Sequence, residues 1–475
     1  MMHLSTMLCR LYRNTCVVLP FLLYCSSLQA QTISRKLSDA FKTFENDPQL
    51  KYAISSLYVI DAATGNTVFE KNSRIGLAPA STQKVITSVT AFELLGKTYR
   101  YNTAFSIIKN KELPVGGTLV ITPSGDPSFG SPRWENTTAD NMLKQIIASL
   151  PEDIKQYNNI IVDNSGWQQR DIPDGWIWQD LGNYYGAGAE KMNWRENQYD
   201  IILRSGNRLG SHVPIAGTRP KLLNSYSLRS EVQSARSGSG DNAYIYFPLS
   251  GNTGAIKGTI PVNQEHFVIS GAFPSGAAQF INELQDTLIQ IGKGSHSMSL
   301  IFRDSSTAND SSILFFTHQS PSLDSLIYWF NKKSINLYGE ALIKTMAFGQ
   351  KSYGVTDTGV VVVKDFWKSK GIDPDELNIV DGSGLSPLNR VTTHAQAEVL
   401  KFAKQQPWFS SFFDALPIYN NMHMKSGTIR NVKGFAGYHT AKNGKTYIFS
   451  FLVNNYNGSA NGLVRKIYKV LDVLK

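Results

Sequence analysis

Beyond residue 25 the chain contains no cysteine. Cys9, Cys16 and Cys25 all lie in the first 30 residues, which read as an export signal. Arg10 and Arg13 form its positive end, Cys16 to Tyr24 its apolar run, and Ser26 to Ala30 its small-residue cleavage region, with the cut placed after Ala30. The bulk of Tyr24 argues against a lipid anchor on Cys25. The mature chain therefore has no disulfide, no catalytic thiol and no thiolate metal site. No later stretch approaches the ~20 apolar residues of a membrane span, so an exported, periplasmic protein is expected. The eight histidines never form His-Glu-x-x-His, which excludes the commonest zinc-hydrolase helix. No Gly-x-Ser-x-Gly lies between a strand and a helix, which excludes the usual nucleophile elbow. No metal or cofactor is called for. Concentrated basic runs and zinc-ligand spacings are also missing, so nucleic acid is discounted as a partner. The net charge of +10 falls to +8 on removal of the signal, which carries two arginines and no acid. That surplus suits an anionic polymer such as a cell wall.

What is present is a globular composition, 42% hydrophobic and 18% charged, in a chain of 475 residues that is too long for one core. Ile33, Leu37, Phe41 and Phe44 mark an amphipathic helix. Ile54 to Ile60 and Asn66 to Glu70 read as a hairpin, and so do the runs on either side of Asn443-Gly444. Leu463, Val464, Ile467, Leu471 and Leu474 mark a closing helix. Helices from both ends packed on one antiparallel sheet make an α/β domain out of residues 31–99 and 301–475. Residues 100–300 hold short apolar runs broken by Gly, Pro, Asn and Ser, and are expected to form two β-rich insertions.

Ser81-Thr82-Gln83-Lys84 is the most telling stretch. Val85, Ile86, Val89, Phe92 and Leu95 recur at helical spacing behind it, and Pro79 suits a helix start. Residues i and i+3 share a helix face, so the Lys84 amine reaches the Ser81 hydroxyl. Lysine titrates near ~10.4 in water and would be a poor base. Burial and the positive end of the helix both favour its neutral form, which can take the serine proton. The same N-terminal amides can stabilise an oxyanion.

Two further clusters join it. A helix from Ser322 to Lys332 ends near Ser334-Ile335-Asn336, where Ser334 can relay a proton and Asn336 can hold the lysine amine and bond a substrate amide. Lys425-Ser426-Gly427-Thr428 leads into strand-like sequence. A cation and hydroxyls on a sheet edge can clamp a carboxylate, and Gly427 allows close backbone approach.

In this order the three clusters resemble the Ser-x-x-Lys, Ser-x-Asn and Lys-[Ser/Thr]-Gly motifs of serine penicillin-recognising enzymes. Pro79 to Thr87, Gly125 to Ser128, Gly175 to Gly186, His318 to Pro321, Ser334 to Tyr338 and Asp381 to Ser386 narrow the resemblance. It is to the class C penicillin-binding proteins, the D-alanyl-D-alanine carboxypeptidase/endopeptidase family, over nearly the whole mature chain. The resemblance implies a β-lactamase/transpeptidase-like α/β domain with two inserted domains. It implies a peptidase acting on peptidoglycan stem peptides and inhibited by β-lactams. Ser81 is then the acylated nucleophile, Lys84 its base, and Ser334 and Asn336 a relay and peptide-binding pair. Lys425, Ser426 and Thr428 hold the terminal carboxylate, and the amides of Ser81 and Thr428 form the oxyanion hole. Trp178, Asp180 and Tyr185 contact the stem-peptide side chain. Homodimer formation stays open.

Three departures stand out. Ile335 takes the place where many members have Asp, and Ser426 replaces the commoner Thr. The segment from Asp414 to Met424 is shorter than the Gly- and Arg-containing stretch usual there. Two other readings use the same residues. A β-lactamase would need rapid deacylation by a positioned water, and the long insertion argues against it. A wall-binding scaffold with a lapsed site is opposed by the presence of every catalytic side chain. Asp381-Gly382-Ser383-Gly384 reads as a turn that shapes the cleft.

Overall fold

The computed structural model describes residues 32–109, 116–168, 172–305 and 312–475, so the expected export signal lies outside the described residues. Both ends of the chain meet on one six-stranded sheet. Its order is Ile418–Tyr419, Met422–Ile429, Val432–Thr440, Thr446–Asn454, Ile54–Asp61 and Thr67–Lys71, antiparallel throughout. The Asn443-Gly444 turn makes the expected hairpin: the Asn443 side chain accepts from the Lys445 amide at 3.0 Å and Gly444 takes φ +81°.

The central strands Ile54–Asp61 and Thr446–Asn454 are buried almost throughout, which explains why they read as continuous apolar runs rather than alternating ones. On one face, helix 32–45 and helix Ala460–Leu471 bring Leu37, Phe41, Phe44, Leu463 and Ile467 against Leu57, Val59, Phe449 and Phe451. On the other, helices Lys84–Leu95, Asn336–Lys351 and Thr393–Lys404 bring Val85, Ile86, Val89, Leu342 and Leu400 against Tyr58, Ile60, Ile448 and Leu452. A two-faced sheet between helical layers fixes the strand register, because a one-residue slip would exchange the two cores.

Between these halves lies a five-stranded mixed sheet in the order Ser299–Arg303, Gln156–Asp163, Gly116–Thr122, Asn102–Lys109, Ile313–Gln319. It takes in residues past 300. Two three-stranded sheets share a separate core around Tyr199, Ile201, Val232, Ile245 and Ile256. The middle of the chain is β-rich, but helices Ala139–Ala148 and Gly276–Gln290 also cover the mixed sheet. Met142 and Ile146, and Phe280, Leu284 and Leu288, carry their helical spacing, which the surrounding turn residues obscure in the sequence. Among the described residues no helix is long and apolar enough to cross a membrane.

Candidate active site

Ser81 lies in a 3₁₀ turn, Ala80–Gln83, which runs directly into helix Lys84–Leu95. The turn is held in a conformation that alanine rarely adopts, with Ala80 at φ +46°. Three neighbours fix it. The Thr82 hydroxyl donates to the Pro79 carbonyl at 2.8 Å and accepts from Gln396 at 2.8 Å. A Cβ on Gly384 would stand 2.0 Å from the Ala80 oxygen, so the Asp381 loop presses directly on the turn. A Cβ on Gly427 would stand 2.5 Å from the Pro79 oxygen and 3.0 Å from the Ser81 nitrogen. The strand Met422–Ile429 thus runs against the nucleophile's own backbone, and only glycine permits it.

The Lys84 amine is fully buried and reaches three oxygens: Ser81 Oγ at 3.0 Å, Asn336 Oδ1 at 2.7 Å and the Ser383 carbonyl at 2.7 Å. The Phe330 ring lies 5.5 Å from the same nitrogen. Burial lowers the Lys84 pKa to about 7, against the opposing pull of Asp381 and Glu340. An amine that titrates there is a competent base at neutral pH. As the pH rises through about 7 the amine loses its proton, so acylation by penicillin should quicken about tenfold per pH unit below that point and level off above it. A stopped-flow pH profile of acylation checks this; a rate that does not change between pH 5 and 9 would remove the titrating base.

The Ser334 backbone is left-handed, at φ +56°, just before helix Asn336–Lys351. Its hydroxyl makes no hydrogen bond among the described residues. Asn336, besides accepting from Lys84, donates to the Tyr185 carbonyl at 2.8 Å. Lys425 is 1% exposed, and its ammonium donates to the Ser426 carbonyl at 2.9 Å. Burial and the nearby charges of Lys84 and Lys433 push its pKa well down. Ser426 is half-buried and Thr428 exposed on the same strand.

Of the three inserted residues, only Tyr185 is tied to these groups, through its backbone. Its ring meets that of Tyr184 edge-on. Trp178 is 61% exposed and packs edge-on against Tyr246. The Asp180 carboxyl has no hydrogen-bond or ion-pair partner among the described residues, and burial pushes its pKa up to about 6. The short segment before Lys425 forms a two-residue hairpin, with Asn420 and Asn421 at φ +51° and +58°, the mark of a type I′ turn.

A serine, a buried amine and an asparagine amide joined by hydrogen bonds, with a Lys-Ser-Gly strand against the serine backbone, form one constellation. The sequence model of the D-Ala-D-Ala carboxypeptidase 3 (S13) family matches residues 37–420. The chain belongs to that family. It is 24% identical to the D-alanyl-D-alanine carboxypeptidase of Actinomadura sp. (strain R39), over 87% of this chain and 80% of that protein. It is 23% identical to D-alanyl-D-alanine carboxypeptidase DacB of Haemophilus influenzae, over 82% of this chain and 83% of that protein. The crystal structure of penicillin binding protein 4 (dacB) from H. influenzae superposes with a TM-score of 0.78 at 21% identity. The match covers 92% of this chain and 99% of that one. A second structure of that protein, complexed with a β-lactam, gives a TM-score of 0.71 at 20% identity, over 92% of this chain and 98% of that one. The family is one of D-Ala-D-Ala carboxypeptidases, and the expected β-lactamase/transpeptidase-like fold is the one observed.

Four partners at this site lie outside the three motifs. Two are backbone carbonyls, of Ser383 and Tyr185, which no side-chain pattern announces. The other two are the buried acids Asp381 and Glu340. Asp381 Oδ1 accepts from Gln83, the Gly384 amide and Asn389, and Oδ2 from Trp176 and the Ser386 amide. Glu340 accepts from the Gly382 amide at 3.0 Å, and its pKa is pushed up by burial and by the Asp381 charge. Asp381 therefore does shape a turn, and the turn's Ser383 carbonyl accepts from the Lys84 amine.

Proposed function

We propose that this chain is a serine DD-peptidase that removes the terminal D-Ala of peptidoglycan stem peptides through an acyl-enzyme at Ser81. The observation that carries the proposal is the Lys84 amine, buried, with its pKa lowered to about 7 and 3.0 Å from Ser81 Oγ. Neutral Lys84 takes the Ser81 proton as Oγ bonds to the carbonyl carbon of the penultimate D-Ala. The oxyanion sits between the amides of Ser81 and Thr428. Ser334 relays a proton to the departing amine, the C–N bond breaks, and D-Ala leaves. Water then attacks the ester carbon as Lys84 takes its proton, the bond from that carbon to Ser81 Oγ breaks, Lys84 returns the proton to Oγ, and the shortened peptide departs with a new C-terminal carboxyl group.

Asn336 orients the base and the peptide. Lys425, Ser426 and Thr428 face the terminal carboxylate, and Gly427 lets the substrate lie along the strand. Trp178, Asp180 and Tyr185 contact the stem-peptide side chain; the unpartnered Asp180 carboxyl suits a cationic group there. β-Lactams acylate Ser81 because they present the same carbonyl and carboxylate. Residues 1–30 direct export to the periplasm; 31–99 and 301–475 form the catalytic domain except for the strands Ser299–Arg303 and Ile313–Gln319, which complete the mixed sheet of the insertion, and 100–300 supply the rest of the two insertions. Incubation with purified muropeptide monomers and cross-linked dimers, read by product mass, tests the reading. Loss of one alanine from pentapeptide monomers is expected, and splitting of dimers would add endopeptidase activity. Intact products from both, with active enzyme confirmed folded, would reject the peptidase.

A further inference from the structure

The helix that begins at Asn336 is gripped by the insertion. Asn336, Tyr338 and Lys344, all on helix Asn336–Lys351, reach one inserted segment. The Asn336 amide donates to the Tyr185 carbonyl at 2.8 Å, and the buried Lys344 ammonium to the Ala189 carbonyl at 2.8 Å. Tyr338 is 1% exposed, and its hydroxyl donates to Glu196 Oε1 at 2.8 Å. Residues two apart on a helix point about 200° apart around its axis. The inserted segment therefore holds the first turn of this helix from two sides, and a roll of the helix would break one bond or the other.

Glu196 is itself firmly placed. It is 3% exposed, and besides Tyr338 it accepts from three donors of the insertion. Oε1 takes Ser131 Oγ at 2.8 Å and Arg133 Nε at 2.7 Å, and Oε2 takes Arg133 Nη2 at 2.9 Å. The Glu196 backbone is left-handed, at φ +57°, between Arg195 at +54° and Asn197 at +52°. Three such residues in a row, none of them glycine, persist only where the surroundings hold them there. Asn197 supplies part of that hold. Its side chain donates to the Gly188 carbonyl and to Asn193 Oδ1, and accepts from the Trp194 amide, each at 2.9 Å. The Tyr185 carbonyl and the Glu196 carboxylate thus belong to one braced strap.

We propose that Glu196 is a positioning residue for the catalytic base. Through Tyr338 it fixes the first turn of helix Asn336–Lys351, and so places the Asn336 oxygen that accepts from the Lys84 amine at 2.7 Å. The bond is charge-assisted, since the acceptor is a buried carboxylate already paired with Arg133. The insertion then takes part in acylation without touching Ser81 or the substrate at this point. The proposal deepens the peptidase reading and rests on it.

The test is the pH profile of acylation by penicillin in Tyr338→Phe, which removes one hydroxyl and keeps the ring. Wild type and Glu196→Gln are run beside it, with urea unfolding of each. Asn336 accepts from the charged form of Lys84, so an Asn336 that drifts withdraws support from the ammonium and lowers the midpoint of the profile below about 7. The other charged groups that act on Lys84 or feel it, Asp381, Glu340 and Lys425, are left in place. In Tyr338→Phe the midpoint should fall by about half a pH unit or more, and the plateau rate about tenfold. Glu196→Gln keeps an accepting oxygen but loses the charge, so it should move both in the same direction by less. It also gives the answer if Tyr338→Phe does not fold. A loss of stability with midpoint and plateau rate unmoved would mean a structural bond only, and overturns the assignment of Glu196 while the peptidase reading stands. Profiles and stability that all match the wild type overturn it equally. A folded wild type that penicillin does not acylate overturns both.

Discussion

Lys84→Ala should take up no fluorescent penicillin on the timescale that saturates the wild type. General-base removal alone is worth about 10²–10⁴ in rate, and here the same side chain also organises the site. Its amine links Ser81, Asn336 and the Ser383 carbonyl, so its loss frees the Asn336 amide and the Asp381 loop along with the proton acceptor. The fold should survive. Lys84 is fully buried with its pKa drawn down by desolvation, so its removal relieves a cost of burial as well as leaving a cavity. The measurement is labelling beside a denaturation curve. A folded variant that labels at the wild-type rate would show that another group takes the Ser81 proton.

The second large effect concerns Asp381. Asp381→Asn keeps the shape and replaces one accepting oxygen with a donating amide. That amide must face either Trp176 and the Ser386 amide or the donors of Gln83, Gly384 and Asn389. Breaking a buried, fully partnered charge in this way costs about 3–5 kcal/mol, and at least one buried donor is left unpaired. Stability should fall by about that much in urea unfolding, and acylation should fall with it, because the Ser383 carbonyl that holds Lys84 belongs to the same loop. Since the Trp176 donor comes from the insertion, the loss should also loosen the insertion's seat on the catalytic domain. Wild-type stability in this variant would mean that the loop is held by its backbone and glycines alone.

The contact between Ser81 and Lys84 was legible because helical geometry puts residues three apart on one face, and the sequence supplies the apolar stripe that buries the lysine. The hairpins were legible where Asn-Gly or Thr-Gly interrupts strand-like runs. Asn336 was legible only as a partner of the other clusters. What stayed hidden has a common physical cause. Asp381 carries its importance through five donors, two of which, Gln83 and Trp176, come from distant segments, and an acid in a Gly-Ser turn looks the same whether caged or solvated. Tyr185 contributes a carbonyl, which every residue has. The two helices of the middle region were lost among turn residues, since short apolar runs look alike in strands and buried helices.

The most direct test of the account is the site of covalent attachment. The protein is saturated with penicillin, digested, and the modified peptide sequenced by tandem mass spectrometry. The account requires one penicilloyl group, on Ser81, and none in Ser81→Ala. A stable adduct on Ser334, Ser383 or any other residue, with Ser81 unmodified, would contradict it.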